Sequence, residues 1–149
     1  MKKEPSGIES IIRPIEVEFN FHDFLQVIIG AAILAVPVGF TEETWGLGLT
    51  LPLSNIFMLM GLTLFFIAVF TFFHYHKEHV HANPRYHLFE LTKRVLVTYI
   101  ASFAMVSVLL NIIQVTPWAT DSLLAFKRVA IVTFPSALGA AISDTIKKE

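Results

Sequence analysis

FLQVIIGAAILAVPVGF (Phe24–Phe40), TEETWGLGLT (Thr41–Thr50) and LPLSNIFMLMGLTLFFIAVFTFF (Leu51–Phe73) are the three consecutive segments that decide the fold. The first and third segments are 17 and 23 residues long and contain no charged residue. A helix needs roughly 20 apolar residues to cross about 30 Å of hydrocarbon. The pattern therefore predicts two spanning helices joined by a ten-residue connector.

Two further apolar runs follow, Val95–Val115 and Val129–Ile142. The second of these has only 14 residues, so it reaches spanning length only if it includes Ser122–Arg128. Hydrophobic residues make up 54% of the chain and charged residues 15%, which is less charge than a soluble domain carries. We predict an all-α integral membrane protein with four transmembrane helices. Residues 24–149 form this domain, and residues 1–23 form a cytoplasmic interfacial helix or short strand.

The distribution of basic residues predicts the orientation. Four spans place the amino terminus, the loop between the second and third spans, and the carboxyl terminus on one side. Nine of the eleven lysine and arginine residues fall there, and only Lys127 and Arg128 fall on the other side. The positive-inside rule then makes both termini cytoplasmic in a multi-pass protein of the cell membrane. Glu42 and Glu43 would lie at an acidic outer mouth.

Small residues recur at intervals of four in the first and fourth spans. These residues are Ala31, Ala35 and Gly39 in the first span, and Ser136 and Ala140 in the fourth. Small residues at this spacing allow helix backbones to approach closely in lipid. We therefore predict close packing through these faces.

Each of the same two spans contains one proline, Pro37 and Pro135, which predicts a kink in each helix. A proline also deprives one carbonyl of its helical hydrogen bond. Such carbonyls can line an ion path, which makes both residues pore or hinge candidates. The alternative is that they only bend packed helices.

Amide side chains within the apolar runs lie at the same depth as the connector. Asn55 lies in the first turns of the second span, and Asn111 and Gln114 lie near the end of the third. They could line a polar outer vestibule together with Glu42 and Glu43. The alternative is interhelical hydrogen bonding, which satisfies amides in lipid.

Thr41–Trp45 resembles the T-x-E-[S/T]-W pattern in the selectivity filter of bacterial voltage-gated sodium channels and of their calcium-channel relatives. This resemblance implies that Glu43 is a filter carboxylate, that Thr41 lends a carbonyl, and that Trp45 braces the loop. The resemblance covers five residues, and it concerns local chemistry and not a shared fold.

A longer pattern consists of a small-residue helix with a central proline, then T-x-E-x-W, and finally a helix with P-S-A-L-G-A-A. It resembles an uncharacterised family of prokaryotic integral membrane proteins. The residues that carry this resemblance are Pro37, Thr41, Glu43, Trp45, Gly46, Pro135, Ser136, Gly139 and Ala140. The resemblance implies a membrane protein and no particular activity. It favours Glu43 over Glu42, which occupies the variable position of the pattern.

The functional hypothesis that follows is an oligomeric cation channel or leak pathway, permeable to calcium, with Glu42 and Glu43 at its outer mouth. Several protomers around an axis would bring their carboxylates into one ring of hard oxygen ligands, which suits calcium. The expected partners are membrane lipid, inorganic cations and further copies of the chain. The net charge of −1 gives no reason to expect nucleic acid. No cofactor is expected beyond calcium as the permeant or bound ion.

The histidine-rich loop supports a second hypothesis. His74, His76, His79 and His81 lie close together in the sequence, and neutral imidazole binds zinc, nickel or copper. A metal-handling transporter or sensor is therefore the alternative function, although a solvated loop has the same composition. No nucleophile with a base, phosphate loop or H-E-x-x-H motif is present in the sequence, so we do not expect an enzyme.

Overall fold

The computed structural model describes residues 21–76 and 84–146, and every regular element in these ranges is an α-helix. The helices are α1 (Phe21–Gly39), α2 (Glu42–Thr50), α3 (Leu53–His76), α4 (Pro84–Ile112) and α5 (Ser122–Ile146). All except α2 are long and apolar enough to cross a membrane, which confirms the prediction of four spans. The predicted amino-terminal helix or strand falls mainly in residues 1–20, outside the described ranges.

Helix α5 contains 25 residues because it includes Ser122–Arg128, as the length argument predicted. Helix α4 begins at Pro84, well ahead of the apolar run. Proline is favoured in the first turn of a helix because its missing N–H has no helical acceptor there.

The connector is itself mostly helical, which the sequence did not indicate. Thr41 has extended backbone angles of φ −93° and ψ 133°, and α2 begins at the next residue. Its two glutamates lie in the first turn, where negative charge interacts favourably with the helix dipole. The helix ends before Leu51, which is extended because the residue before a proline is disfavoured in the helical region.

The spans run up and down, so the bundle has two ends. We call the end that carries residues 40–52 and 113–121 the distal end, and the end that carries Phe21, His74 and Ile146 the proximal end. Under the predicted orientation, the distal end faces outward and the proximal end faces the cytoplasm.

Helix α5 occupies the centre of the bundle and contacts each of the other four helices. Its buried residues are Ala125, Val129, Ala130, Ile131, Val132, Thr133, Ser136, Ala137, Ala140, Ala141 and Asp144. Most of these side chains are apolar and packed. The described interior of the bundle is therefore a filled core around α5.

The closest helix contact joins α1 and α5. A Cβ atom placed on Gly30 would lie 2.6 Å from the Gly139 carbonyl oxygen, and a Cβ on Gly139 would lie 2.6 Å from the Gly30 carbonyl oxygen. The Ser136 hydroxyl donates to the Ala31 carbonyl across the same interface at 2.9 Å. The predicted small residues Ala31, Ala35, Gly39, Ser136 and Ala140 are all buried, which confirms the predicted close packing.

The outer faces of α1, α3 and α4 are apolar. Phe21, Met58 and Ile112 are each more than 70% exposed, and many other large apolar side chains share these faces. In a spanning bundle, such surfaces contact lipid.

Candidate functional site

The two carboxylates singled out in the sequence, Glu42 and Glu43, lie on the first turn of α2 at the distal end. Both side chains are exposed. Neither makes a hydrogen bond or ion pair with another residue of the described ranges. Both charges are therefore accessible from solution at the surface of the bundle.

Side chains of the same segment hold α2 against the end of α1. The Trp45 indole Nε1 donates to the Gly39 carbonyl at 2.7 Å. The Thr41 hydroxyl donates to the Val38 carbonyl at 2.8 Å and lies 2.5 Å from the Thr44 hydroxyl oxygen. These bonds satisfy carbonyls that a helix end leaves without partners. The carbonyl of Thr41 accepts the Trp45 backbone N–H at 3.4 Å within the first turn of α2.

Two cations from α5 hold the other side of α2. The Lys127 ammonium donates to the Leu51 carbonyl at 3.0 Å. The Arg128 guanidinium donates to the Trp45 carbonyl at 3.2 Å and to the Val115 carbonyl at 2.6 Å. Gly48 gives Arg128 its space, because a Cβ at this position would lie 2.7 Å from the arginine Cγ.

The sequence predicted an acidic outer mouth with Lys127 and Arg128 on the same side, and the structure places both cations directly against α2. Lys127 and Arg128 are half-buried there because carbonyl oxygens near the ends of α2 and α4 attract cations. The Asp121 carboxylate caps the start of α5, since its Oδ1 accepts the Leu124 N–H at 3.0 Å. Glu42 and Glu43 are the distal carboxylates that remain without a described partner.

The three amide candidates lie at the distal end with exposed side chains. Asn55 and Asn111 lie in the terminal turns of α3 and α4, and Gln114 lies beyond the end of α4. None of the three side-chain amide groups forms a hydrogen bond with another described residue. Gln114 adopts φ 60°, the left-handed conformation that closes helix ends and that glycine adopts more easily.

The two proline candidates lie inside helices, as the sequence predicted. Pro37 is exposed near the distal end of α1, whereas Pro135 is half-buried in the middle of α5. Pro135 directly precedes Ser136, whose hydroxyl bonds to α1. The prolines therefore occupy different depths and different environments.

The histidine candidates are only partly described. His74 is half-buried in the last turns of α3, and its Nε2 atom is buried without a hydrogen-bond partner in the described ranges. His76 ends α3, and His79 and His81 lie outside the described residues. Within residues 21–76 and 84–146, no group of three or more histidine, aspartate or glutamate side chains could hold a metal ion.

An ion pair that sequence reasoning missed lies near the proximal end. The Arg94 Nε donates to Asp144 Oδ2 at 2.8 Å, and its Nη2 donates to Asp144 Oδ1 at 2.6 Å. Both side chains are less than 10% exposed. This bidentate geometry is the strongest form of arginine–carboxylate contact. The available signal was weak, because Arg94 directly precedes the run Val95–Val115 and Asp144 follows the run Val129–Ile142 by two residues. The two opposite charges therefore lie at the same end of neighbouring spans.

Comparison with known proteins places this bundle in a family. No curated protein and no solved structure matches the chain. The family described as "Putative integral membrane protein (DUF2391)" matches residues 13–148, which covers all five helices. This chain therefore belongs to that family of integral membrane proteins.

Proposed function

We propose that the chain assembles into an oligomeric cation channel or leak pathway, permeable to calcium, with Glu43 and Glu42 as its selectivity carboxylates. The observation that supports this proposal is the pair of exposed, unpartnered carboxylates on α2. The protein is an integral membrane protein, so charges at the end of its bundle meet ions that approach the bilayer.

The hydrogen bonds that attach α2 to its neighbours support a role for these carboxylates in ion selection. Trp45 fixes α2 to the end of α1, and Lys127 and Arg128 fix it to α5. A selectivity site requires charged groups at reproducible positions, which rigid elements provide better than loops. Helix α2 would thus present its two carboxylates at a defined height above the bilayer.

The proposed path runs between protomers. The centre of each protomer is filled by α5 and its packed neighbours, so a monomer offers no described aqueous route. Several protomers around an axis would instead bring one copy of α2 each to a shared distal mouth. The ring of Glu43 carboxylates is therefore a property of the proposed assembly.

The expected energies are large enough for selection. At 4 Å and an effective dielectric constant near 20, one carboxylate attracts a monovalent cation by roughly 4 kcal/mol and a divalent cation by about twice that amount. Lys127 and Arg128 oppose this attraction, but both are half-buried and bound to carbonyl oxygens. The exposed carboxylates are closer to an ion that arrives from solution.

Calcium flux into vesicles tests the proposal. We expect Glu43→Gln to lower the permeability ratio of calcium to potassium at least about tenfold, because a tenfold change corresponds to only about 1.4 kcal/mol. Glu42→Gln should have a smaller effect. Glu90→Gln is the matched control, since Glu90 is a half-buried glutamate of α4 near the proximal end. Unchanged calcium selectivity in the Glu42→Gln/Glu43→Gln double variant would contradict the proposal.

The alternative, a metal-handling transporter or sensor, draws support from the unpartnered Nε2 atom of His74. Under this alternative, zinc binds with His74, His76, His79 and His81 as ligands. We expect isothermal titration to show zinc binding that is lost when all four are replaced by alanine. Binding that does not depend on these histidines, or no binding at all, would exclude the alternative.

A further inference from the structure

Lys127 and Arg128 have hydrogen-bonding capacity that the described residues do not use. Lys127 donates once to a carbonyl although an ammonium has three donors, and Arg128 donates twice although a guanidinium has five. Neither cation forms an ion pair within residues 21–76 and 84–146. Two consecutive residues of α5 therefore carry positive charges that have no described counter-ion.

Their depth in the bundle coincides with the edge of the hydrocarbon layer. From Lys127 to Ile146, the proximal end of α5, the helix rises about 28 Å at 1.5 Å per residue. The hydrocarbon core is about 30 Å thick, so Lys127 and Arg128 lie at its distal boundary when Ile146 lies at the other boundary. Lipid phosphate groups occupy the layer immediately outside this boundary.

The surroundings combine an unused polar donor with exposed apolar side chains. Thr116 follows the residue whose carbonyl binds Arg128, and it is 6% exposed with no described partner for its hydroxyl. Phe57 and Met58 of α3 are 57% and 73% exposed, and they lie on the proximal side of Leu51, whose carbonyl binds Lys127. A ligand that suits this region presents oxyanion acceptors to the cations and hydrocarbon to these two side chains.

We infer that Lys127 and Arg128 form a binding site for the phosphate group of an anionic lipid in the distal leaflet. The phosphate oxygens accept from the free N–H groups of the two cations, while the acyl chains lie against the apolar surface below. A lipid with a net negative charge neutralises the pair better than a zwitterionic lipid, because the latter brings its own ammonium group. This inference is independent of the proposed ion pathway.

Native mass spectrometry of the full-length protein, released from micelles that contain equal amounts of phosphatidylglycerol and phosphatidylcholine, tests the site. We expect the wild type to retain phosphatidylglycerol at least about fivefold more than phosphatidylcholine. Lys127→Gln should reduce this preference at least threefold. Lys93→Gln, which removes an exposed lysine from the proximal part of α4, should leave it unchanged.

A second variant and a second ligand keep the result interpretable. Arg128→Lys retains the charge with fewer donors and should also reduce the preference, and Lys127→Gln decides the outcome if Arg128→Lys does not fold. Equal retention of both lipids by the wild type, or a preference unaffected by Lys127→Gln, would overturn the inference. Displacement of phosphatidylglycerol by millimolar inorganic phosphate would assign the site to soluble phosphate and would also overturn it.

Discussion

Replacement of Asp144 by asparagine is expected to lower the free energy of unfolding by about 3 to 5 kcal/mol, the usual cost of removing one partner from a buried ion pair. The substitution removes the carboxylate charge that pairs with the Arg94 guanidinium between α4 and α5, and both side chains are less than 10% exposed. Reversible unfolding in mixed micelles, followed by circular dichroism, measures the change.

The same experiment includes a rescue and a control. A double variant, Arg94→Met with Asp144→Leu, removes both charges and should recover most of the lost stability, because apolar replacement of an entire buried pair is often neutral or favourable. Lys93→Gln removes the neighbouring exposed cation and should change stability by less than about 0.5 kcal/mol. An Asp144→Asn variant within 1 kcal/mol of the wild type would show that the pair contributes little.

Replacement of Gly30 by alanine is expected to destabilise the bundle by about 1 to 3 kcal/mol, because it overpacks the closest helix interface. The new Cβ would lie 2.5 Å from Ser143 Cβ and 2.6 Å from the Gly139 carbonyl oxygen, which is backbone and cannot rotate away. Helices α1 and α5 would therefore have to separate, which would also lengthen the bond from Ser136 to Ala31.

Gly61→Ala is the matched control for this prediction. Gly61 lies within α3, and a Cβ there would meet no atom within 4 Å. Since alanine is a better helix former than glycine by about 1 kcal/mol, this variant should be neutral or slightly more stable. If Gly30→Ala were as stable as Gly61→Ala in the same unfolding assay, the close contact would not constrain the helices.

The four spans could be predicted because the length of an apolar run is a direct consequence of bilayer thickness. The close packing of α1 and α5 through small residues such as Ala31 and Ser136 could also be predicted from their helical spacing, but not that these two helices contact each other. In contrast, the helical state of Glu42–Thr50 depends on tertiary contacts. Its two glycines weaken it as an isolated helix, and bonds from Trp45 and Arg128 hold it in place.

The candidate site was predicted only in part. The exposure of Glu42 and Glu43 follows from their charge, and the structure agrees. The contacts of Lys127 and Arg128 with α2 join residues 76 and 83 positions apart, and Arg94 and Asp144 are 50 positions apart. Local patterns contain no information about such pairs. The sequence shows only that these charges flank the apolar runs, where a buried charge needs a partner.

The charged contacts of α5 set limits on how this protein can move. Lys127 bonds to the Leu51 carbonyl near one surface of the bilayer, and Asp144 bonds to Arg94 near the other, about 25 Å away along the helix. A piston-like displacement of α5 by one turn, about 5.4 Å, would break both attachments together. Any motion that preserves both contacts therefore leaves α5 at the same depth in the membrane.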